Sequence, residues 1–140
     1  MDNSYSCRLP SRLSEVPGVR ERFERATRDL GVPDAEIDVW KLILTELLNN
    51  SIEHGCAGPN EQVVVRWVIE ADRIEVAVTD PSEGNVDEES FAESDAGDFT
   101  ITGRGAGLFL IREFSDEVRV EDADDGGTTV VVIKSREVAS

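Results

Sequence analysis

The sequence has 140 residues, 39% of them hydrophobic, and a formal net charge of −16, which suits a single domain over residues 1–140. This acidity argues against a nucleic-acid partner, because affinity for nucleic acids comes largely from Lys and Arg that displace counterions. The polar start does not resemble a signal peptide and no apolar run approaches the roughly 20 residues of a membrane helix, so we expect a cytoplasmic protein that does not enter a membrane. With one His and two Cys, a zinc site and a disulfide framework are both poorly supported, and Cys7 and Cys56 are expected to be free thiols.

The first part of the chain predicts a short strand followed by two helices. The strand is expected at residues 4–9, and residues 13–31 then carry apolar side chains at helical spacing up to a terminating Gly31. A second helix is predicted directly afterwards, with Asp34 as its N-cap and Gly55 as its stop. This second helix is the longest and most apolar of the sequence.

The rest of the chain changes mainly to a period of two. QVVVRWVIE and RIEVAVTD predict one antiparallel hairpin, and VRVEDA and TTVVVIKS predict another. Between them, residues 81–102 are rich in Ser, Glu, Asp and Gly and are interpreted as a lid, before GLFLIREFSDE restores a helical pattern. The order β-α-α-β-β-lid-α-β-β predicts a two-layer α/β sandwich, an α+β fold with helices on one face of a mixed, mainly antiparallel sheet.

Polar residues recur at four-residue intervals on the most apolar helix. Glu46, Asn50 and His54 share one helical face, with Asn49 and Glu53 beside them. Because an unpaired buried carboxylate costs several kcal/mol, solvent or a ligand must reach this stripe. Either a solvated helix face or a binding site fits the pattern.

Two further features point to a nucleotide. TGRGAGLFLI sets Gly103, Gly105 and Gly107 directly before a helix, where free backbone N–H groups favour phosphate, although a structural glycine turn has the same appearance. The loop is neither a P-loop nor a good dinucleotide fingerprint. Asp80 ends a predicted strand, where it either terminates the strand or accepts a hydrogen bond from an amine such as that of adenine.

Taken together, these motifs resemble the GHKL ATPase family, and within it the anti-sigma-factor serine/threonine kinases of bacterial partner-switching systems. The likeness covers nearly the whole chain: ELLNNSIEHG resembles the N-box, VTDPSEG and GRGAGLFLI resemble the two glycine boxes, and GGTTVVV matches near the end. The resemblance implies a Bergerat-type ATP-binding fold.

The resemblance also implies a role for each matching residue. Glu46 would orient or deprotonate the attacking hydroxyl, and the side-chain oxygen of Asn50 would hold Mg²⁺ against the phosphates of ATP. Asp80 would select adenine with the support of Thr128, and His54 is expected to be structural. The other expected nucleotide-binding residues lie in the two glycine boxes: Gly84, Gly103, Arg104, Gly105, Ala106, Gly107 and Leu108.

The implied reaction is phosphorylation of a STAS-domain antagonist by Mg-ATP, while the same protein sequesters a sigma factor or a similar output protein. A homodimer is expected by analogy. One alternative is a related module that binds its partner with little or no ATP turnover. The first glycine box keeps this alternative open, because Ser82 after Pro81 stands where the family has glycine and is expected to narrow the adenine pocket. A sensor histidine kinase fragment fits less well, since the one His lies inside the N-box.

Overall fold

The computed structural model describes residues 3–58, 60–82, 110–123 and 126–136. Within these ranges, helices and strands follow one another in the predicted order, and residues 110–114 are helical as well. The strands are β1 (Asn3–Pro10), β2 (Gln62–Ile69), β3 (Arg73–Asp80), β4 (Glu117–Asp122) and β5 (Thr128–Ser135), and the helices are α1 (Val16–Asp29) and α2 (Asp34–His54), with a 3₁₀ turn at Leu13–Glu15.

Helix α1 packs on the rest of the molecule through an apolar stripe. Val16, Val19 and Phe23 are buried on this stripe, as expected for side chains three or four residues apart. The hydroxyl of Thr27, which is also buried, donates to the carbonyl of Phe23 at 2.8 Å, so its polar group is satisfied inside the helix. After the helix, Gly31 has a φ of 81°, a left-handed conformation that glycine adopts without strain.

Helix α2 starts one residue differently from the prediction. The N-cap is Pro33, whose extended backbone precedes the helix and whose carbonyl accepts from the Ile37 amide at 3.0 Å. The prediction of Asp34 as N-cap is therefore wrong, because the backbone of Asp34 is already helical. Its carboxylate instead accepts a hydrogen bond from Arg28 at 3.3 Å, across the turn between the two helices. The predicted stop is confirmed, since Gly55 is the C-cap.

The five described strands form one antiparallel sheet in the order β1-β2-β3-β5-β4. Both predicted hairpins, β2–β3 and β4–β5, are confirmed, and β1 pairs with β2 at one edge. The aromatic core joins the sheet to α1: the ring of Trp67 stacks on Tyr5 at 4.3 Å and meets Phe23 edge-on at 5.2 Å. These contacts confirm the two-layer arrangement of helices on one sheet face. The described helices include none long and apolar enough to cross a membrane.

The second face of the sheet, called the open face below, carries neither α1 nor α2. Its residues follow from the strand register, because alternate side chains of paired strands point to the same side. They are Ser4, Ser6, Arg8, Val64, Arg66, Val68, Glu75, Ala77, Thr79, Glu117, Arg119, Glu121, Thr129, Val131 and Ile133.

Candidate functional site

The candidate site begins on the C-terminal half of α2, where the helix surface changes from apolar to polar. Leu47 and Leu48 are at most 2% exposed and pack in the core. Glu46 and Asn50 lie one turn apart and are only partly buried, while Glu53 is exposed. The predicted stripe therefore lies at the boundary between the core and the outside of the helix.

Asn50 has a side-chain oxygen that accepts no hydrogen bond from the described residues. Its side-chain oxygen Oδ1 is buried and has no hydrogen-bond partner among the described residues. Most buried polar atoms in proteins are paired, and an unpaired one costs about 1–3 kcal/mol. A hard cation such as Mg²⁺ takes oxygen ligands of this type, so the atom fits the metal that the motif implies.

Glu46 has an altered acidity. Burial raises the pKa of its carboxyl above the ordinary value, and the negative charge of Glu53 raises it further. A carboxylate with a raised pKa is a stronger base toward a nearby hydroxyl than an ordinary surface glutamate. Its environment is therefore compatible with proton transfer.

The other end of the site is formed where α2 meets β3. Asp80 is the last residue of β3 and is 5% exposed, and the register turns it toward the helices. A Cβ atom added to Gly55 would overlap the Asp80 carboxylate. Because the φ of Gly55 is −97°, available space and not backbone conformation requires glycine here. The absence of a side chain at Gly55 lets the helix end against the carboxylate.

Two neighbours hold Asp80 in place. Its Oδ1 accepts a hydrogen bond from the Ser82 amide at 2.9 Å and a second one from the Ser82 hydroxyl. The hydroxyl of Thr128 donates to the Ser82 carbonyl at 2.6 Å, and Thr128 is also the β-ladder partner of Asp80. The ends of the two central strands therefore form one hydrogen-bonded unit around a buried carboxylate.

The helix provides a scale for the site. With a rise of about 1.5 Å per residue, Asn50 lies roughly 7.5 Å along the axis before Gly55, and Glu46 lies roughly 6 Å before Asn50. Since Gly55 touches Asp80, the order along the axis of α2 is Glu46, then Asn50, then the contact with Asp80. A ligand that reaches all three positions must be elongated, with a hydrogen-bond donor at the Asp80 end.

One thiol directly follows the helix end at Gly55. Burial raises the pKa of Cys56, a hydrogen bond with Ser11 opposes the shift, and the charges of Asp80 and Glu61 add to it. Both cysteines are free, as predicted. The raised pKa makes the Cys56 thiolate scarce at neutral pH, so this residue has the character of a structural thiol.

The structure describes only part of the predicted site. Glu46, Asn50, Asp80 and Thr128 lie on α2 and on the adjoining ends of β3 and β5, while their assigned roles stay predictions. The side chain of His54 and residues 83–102 of the predicted lid lie outside the described residues. So do the remaining predicted nucleotide-binding residues: Gly84, Gly103, Arg104, Gly105, Ala106, Gly107 and Leu108.

Sequence reasoning missed two contacts of the site. Gly55 was predicted only as a helix stop, and nothing local indicates that it faces a carboxylate of another strand. Ser82 was predicted to narrow a pocket, whereas it donates twice to Asp80. The Asp-Pro-Ser sequence did carry a signal for this contact, because Asp side chains commonly accept from the backbone two residues on.

Comparisons with known proteins agree with this geometry. The sequence matches the histidine kinase-like ATPase domain over residues 9–134. It is 28% identical over 137 residues to the serine-protein kinase RsbW of Bacillus pumilus strain SAFR-032, with 91% of this chain and 82% of the relative covered. It is also 30% identical over 101 residues to the anti-sigma F factor of Oceanobacillus iheyensis, with 71% of this chain and 69% of the relative covered.

Two solved structures share the fold. The crystal structure of the RsbU and RsbW domains of a Mycobacterium tuberculosis protein superposes with a TM-score of 0.69 at 18% identity, covering 98% of this chain. This chain spans 34% of that protein's length. The SiaB–SiaC complex of Pseudomonas aeruginosa gives a TM-score of 0.65 at 16% identity, covering 94% of this chain and 89% of the matched chain.

Proposed function

Because the chain belongs to the histidine kinase-like ATPase domain family, we propose that it is an ATP-dependent serine/threonine protein kinase that also acts as an anti-sigma factor. The observation that carries the proposal is the buried, unpaired Oδ1 of Asn50 one helical turn after Glu46, whose pKa is raised. A solvated helix face requires neither feature. Relatives named as a serine-protein kinase and as an anti-sigma factor support the choice of reaction.

The nucleotide is proposed to bind with its base at Asp80 and its phosphates toward Asn50. An ionised carboxylate only accepts hydrogen bonds, so Asp80 suits the exocyclic amine of adenine. Oδ1 of Asn50 would hold Mg²⁺. When bound, the ion would supply positive charge that offsets the charge of the phosphates. The order Asp80, Asn50, Glu46 along the axis of α2 suits a ligand with a base at one end and phosphates at the other.

Glu46 is proposed to act on the substrate hydroxyl. The hydroxyl oxygen forms a bond to the γ-phosphorus of ATP, the bond from that phosphorus to the bridging oxygen breaks, and ADP leaves. Glu46 accepts the hydroxyl proton, for which its raised pKa is favourable. Positioning of the two reactants provides most of the remaining acceleration.

The proposed partners are a STAS-domain antagonist, which receives the phosphoryl group, and a sigma factor or similar output protein. The name of the anti-sigma F factor supports the second partner. Phosphorylation adds about two negative charges to the antagonist, which changes its fit to an acidic protein of net charge −16. Competition of the two partners for one protein would then depend on the phosphorylation state.

A phosphoryl-transfer assay with a Glu46→Gln variant tests the proposal. Transfer from labelled Mg-ATP to the antagonist is expected to fall by about 10²- to 10⁴-fold, because a general base is lost, while Mg-ATP binding is retained. Glu53→Gln is the matched control, since it removes a carboxylate of the same helix that is exposed and is expected to keep transfer within a few-fold of wild type.

The pH profile adds a second measurement. Because Glu46 must be ionised to accept a proton, transfer is expected to decrease as pH falls through its raised pKa, above the range of an ordinary glutamate. Glu53→Gln removes the like charge and should move this decrease to lower pH. A wild type that binds Mg-ATP and its partner without transfer would favour the alternative, a binding module with little or no turnover. A wild type that binds no nucleotide would contradict both.

The proposal includes a homodimer formed through the open face. At the centre of this face lie Val64, Ala77 and Val131, of which only Val64 is partly exposed, and two cavities of about 470 and 490 Å³ lie on the face. Unlike most of this acidic chain, one half of the face presents the exposed arginines Arg8 and Arg66. A second copy is the proposed occupant because the other half is acidic.

A further inference from the structure

The Asp80 carboxylate is buried and therefore needs partners in order to stay ionised. It is 5% exposed, and a buried carboxylate stays ionised only where hydrogen-bond donors or positive charges replace its hydration. Ser82 donates to Oδ1 with both its amide and its hydroxyl. The amide is a donor that almost any residue provides, whereas the hydroxyl depends on the side chain at position 82.

We propose that Ser82 is a positioning residue for purine recognition, whose hydroxyl keeps the buried Asp80 carboxylate ionised and fixes its orientation toward the amine of the bound base. This inference rests on the proposed function, because it requires a nucleotide at Asp80. It adds a second role to the expectation from the sequence, in which Ser82 narrows the adenine pocket.

The orientation follows from the geometry of the two bonds. Both Ser82 donors go to the same oxygen, Oδ1, so the carboxylate plane is held from one side. On another side the plane rests against Gly55, where no side chain separates α2 from the carboxylate. Rotation of the Asp80 side chain would break the two bonds or drive the carboxylate into the helix end. The acceptor is thereby preorganised before a ligand arrives.

The position of Ser82 is itself fixed by the sheet. Its carbonyl accepts from the Thr128 hydroxyl at 2.6 Å, and Thr128 is 3% exposed at the start of β5. The chain of bonds runs from Thr128 to Ser82 and from Ser82 to Asp80. Thr128 therefore supports the Asp80 carboxylate through Ser82. The sequence predicted such support from Thr128, and these hydrogen bonds are a route for it.

The charged and titratable groups around Asp80 come from four directions. Cys56, directly after the end of α2, brings its thiol near Asp80. Arg8 of β1 and Glu61 line a cavity of about 290 Å³ together with Asp80. Asp122 of β4 is the ladder partner of Thr128, one strand further away. The negative charges of Glu61 and Asp122 disfavour ionisation of Asp80, and the hydrogen bond that the Ser82 hydroxyl donates to Oδ1 opposes their effect.

The test measures Mg-ATP affinity by calorimetry from about pH 5.5 to about pH 8, the range in which a destabilised carboxylate gains its proton. Ser82→Ala is expected to raise the Kd about threefold to tenfold near neutral pH, the effect of losing one hydrogen bond of ordinary strength. It should also move the pH at which affinity is halved upward relative to wild type, because the ionised form loses a donor. Ser82→Gly should behave alike, and Ser82→Thr, which keeps the hydroxyl, should restore both values.

The control is Thr129→Val. It removes the hydrogen bond between the hydroxyls of Thr129 and Thr79, whose oxygens are 2.6 Å apart, at the same end of the sheet but on the open face. It should change neither value, and comparison within one titration series cancels the protonation of ATP, which is common to all variants. If wild type binds Mg-ATP but the variants without the hydroxyl keep its affinity and pH profile, or lose affinity equally at every pH, the role of Ser82 is overturned. If wild type binds no Mg-ATP, the proposed function fails instead.

Discussion

At the scale of single residues, Asn50 is a case in which stability and binding are expected to change in opposite directions. Its buried Oδ1 has no partner among the described residues, so the folded protein bears a cost for it without a ligand. A side chain that lowers the stability of the ligand-free protein, and whose polar atom is paired only by a ligand, is typical of a binding site. The same atom that the sequence motif assigns to Mg²⁺ is the one that the structure leaves unpaired.

Asn50→Ala is therefore expected to weaken Mg-ATP binding by at least about tenfold while the free energy of unfolding without nucleotide stays equal or increases by up to about 1 kcal/mol. Calorimetry with and without Mg²⁺ and urea unfolding measure the two effects. Asn49→Ala is the control. The Asn49 side chain is the neighbouring amide and is also partly buried, but it has no atom among the buried polar atoms that lack a partner in the described residues. Equal affinities of Asn50→Ala and wild type in the presence of Mg²⁺ would contradict the metal assignment.

At the scale of secondary-structure elements, the site depends on one close approach between α2 and β3. The helix ends at Gly55 directly against the Asp80 carboxylate, so two elements distant in sequence meet without an intervening side chain. A side chain at position 55 must push the helix end and the strand end apart or turn the Asp80 carboxylate away. Either change would alter the position of the Asp80 carboxylate relative to Asn50, because Asn50 belongs to the helix and Asp80 to the strand.

Gly55→Ala is expected to destabilise the fold by about 1–3 kcal/mol, the usual cost of overpacking, and to weaken ATP binding. Gly58→Ala is the matched control, because a Cβ there meets nothing within 4 Å and its φ is not positive. Urea unfolding of the two variants under identical conditions makes the comparison. Equal stability of the two variants would show that the helix end moves away freely, contrary to the packing described here.

The comparison of elements also indicates what the sequence was able to predict. Periodicity located β2, β3 and both helices because those signals are local, and glycines marked the helix ends for the same reason. The start of α2 was wrong by one residue because Asp34 and Pro33 both suit a helix N-terminus, and the backbone decides between them. The contact of Gly55 with Asp80 depends on how a helix and a strand pack, which no local pattern contains.

At the scale of the whole molecule, charge is distributed unevenly on the open face. Arg119 forms ion pairs with Glu75, Glu117 and Glu121 at 3.9, 3.1 and 3.3 Å, so this half keeps an excess of negative charge. The half formed by β1 and β2 carries Arg8 and Arg66. A twofold rotation would bring each basic half onto an acidic half of the other copy. From strand spacing and rise, the sheet offers roughly 600 Å² per protomer, somewhat below the roughly 800 Å² of a standard interface.

Two charge-reversed variants test this dimer. The first carries Arg8→Glu and Arg66→Glu, which makes both halves acidic, and the second carries Glu117→Arg and Glu121→Arg, which makes both halves basic. Each alone is expected to be monomeric in sedimentation velocity because like charges meet at both contacts of the twofold interface, whereas an equimolar mixture should form a heterodimer. Arg25→Glu, an exposed change on α1 away from the open face, should leave the wild-type dimer intact. A wild type that stays monomeric at every concentration, or a mixture that does not associate, would contradict the proposed occupant of this face.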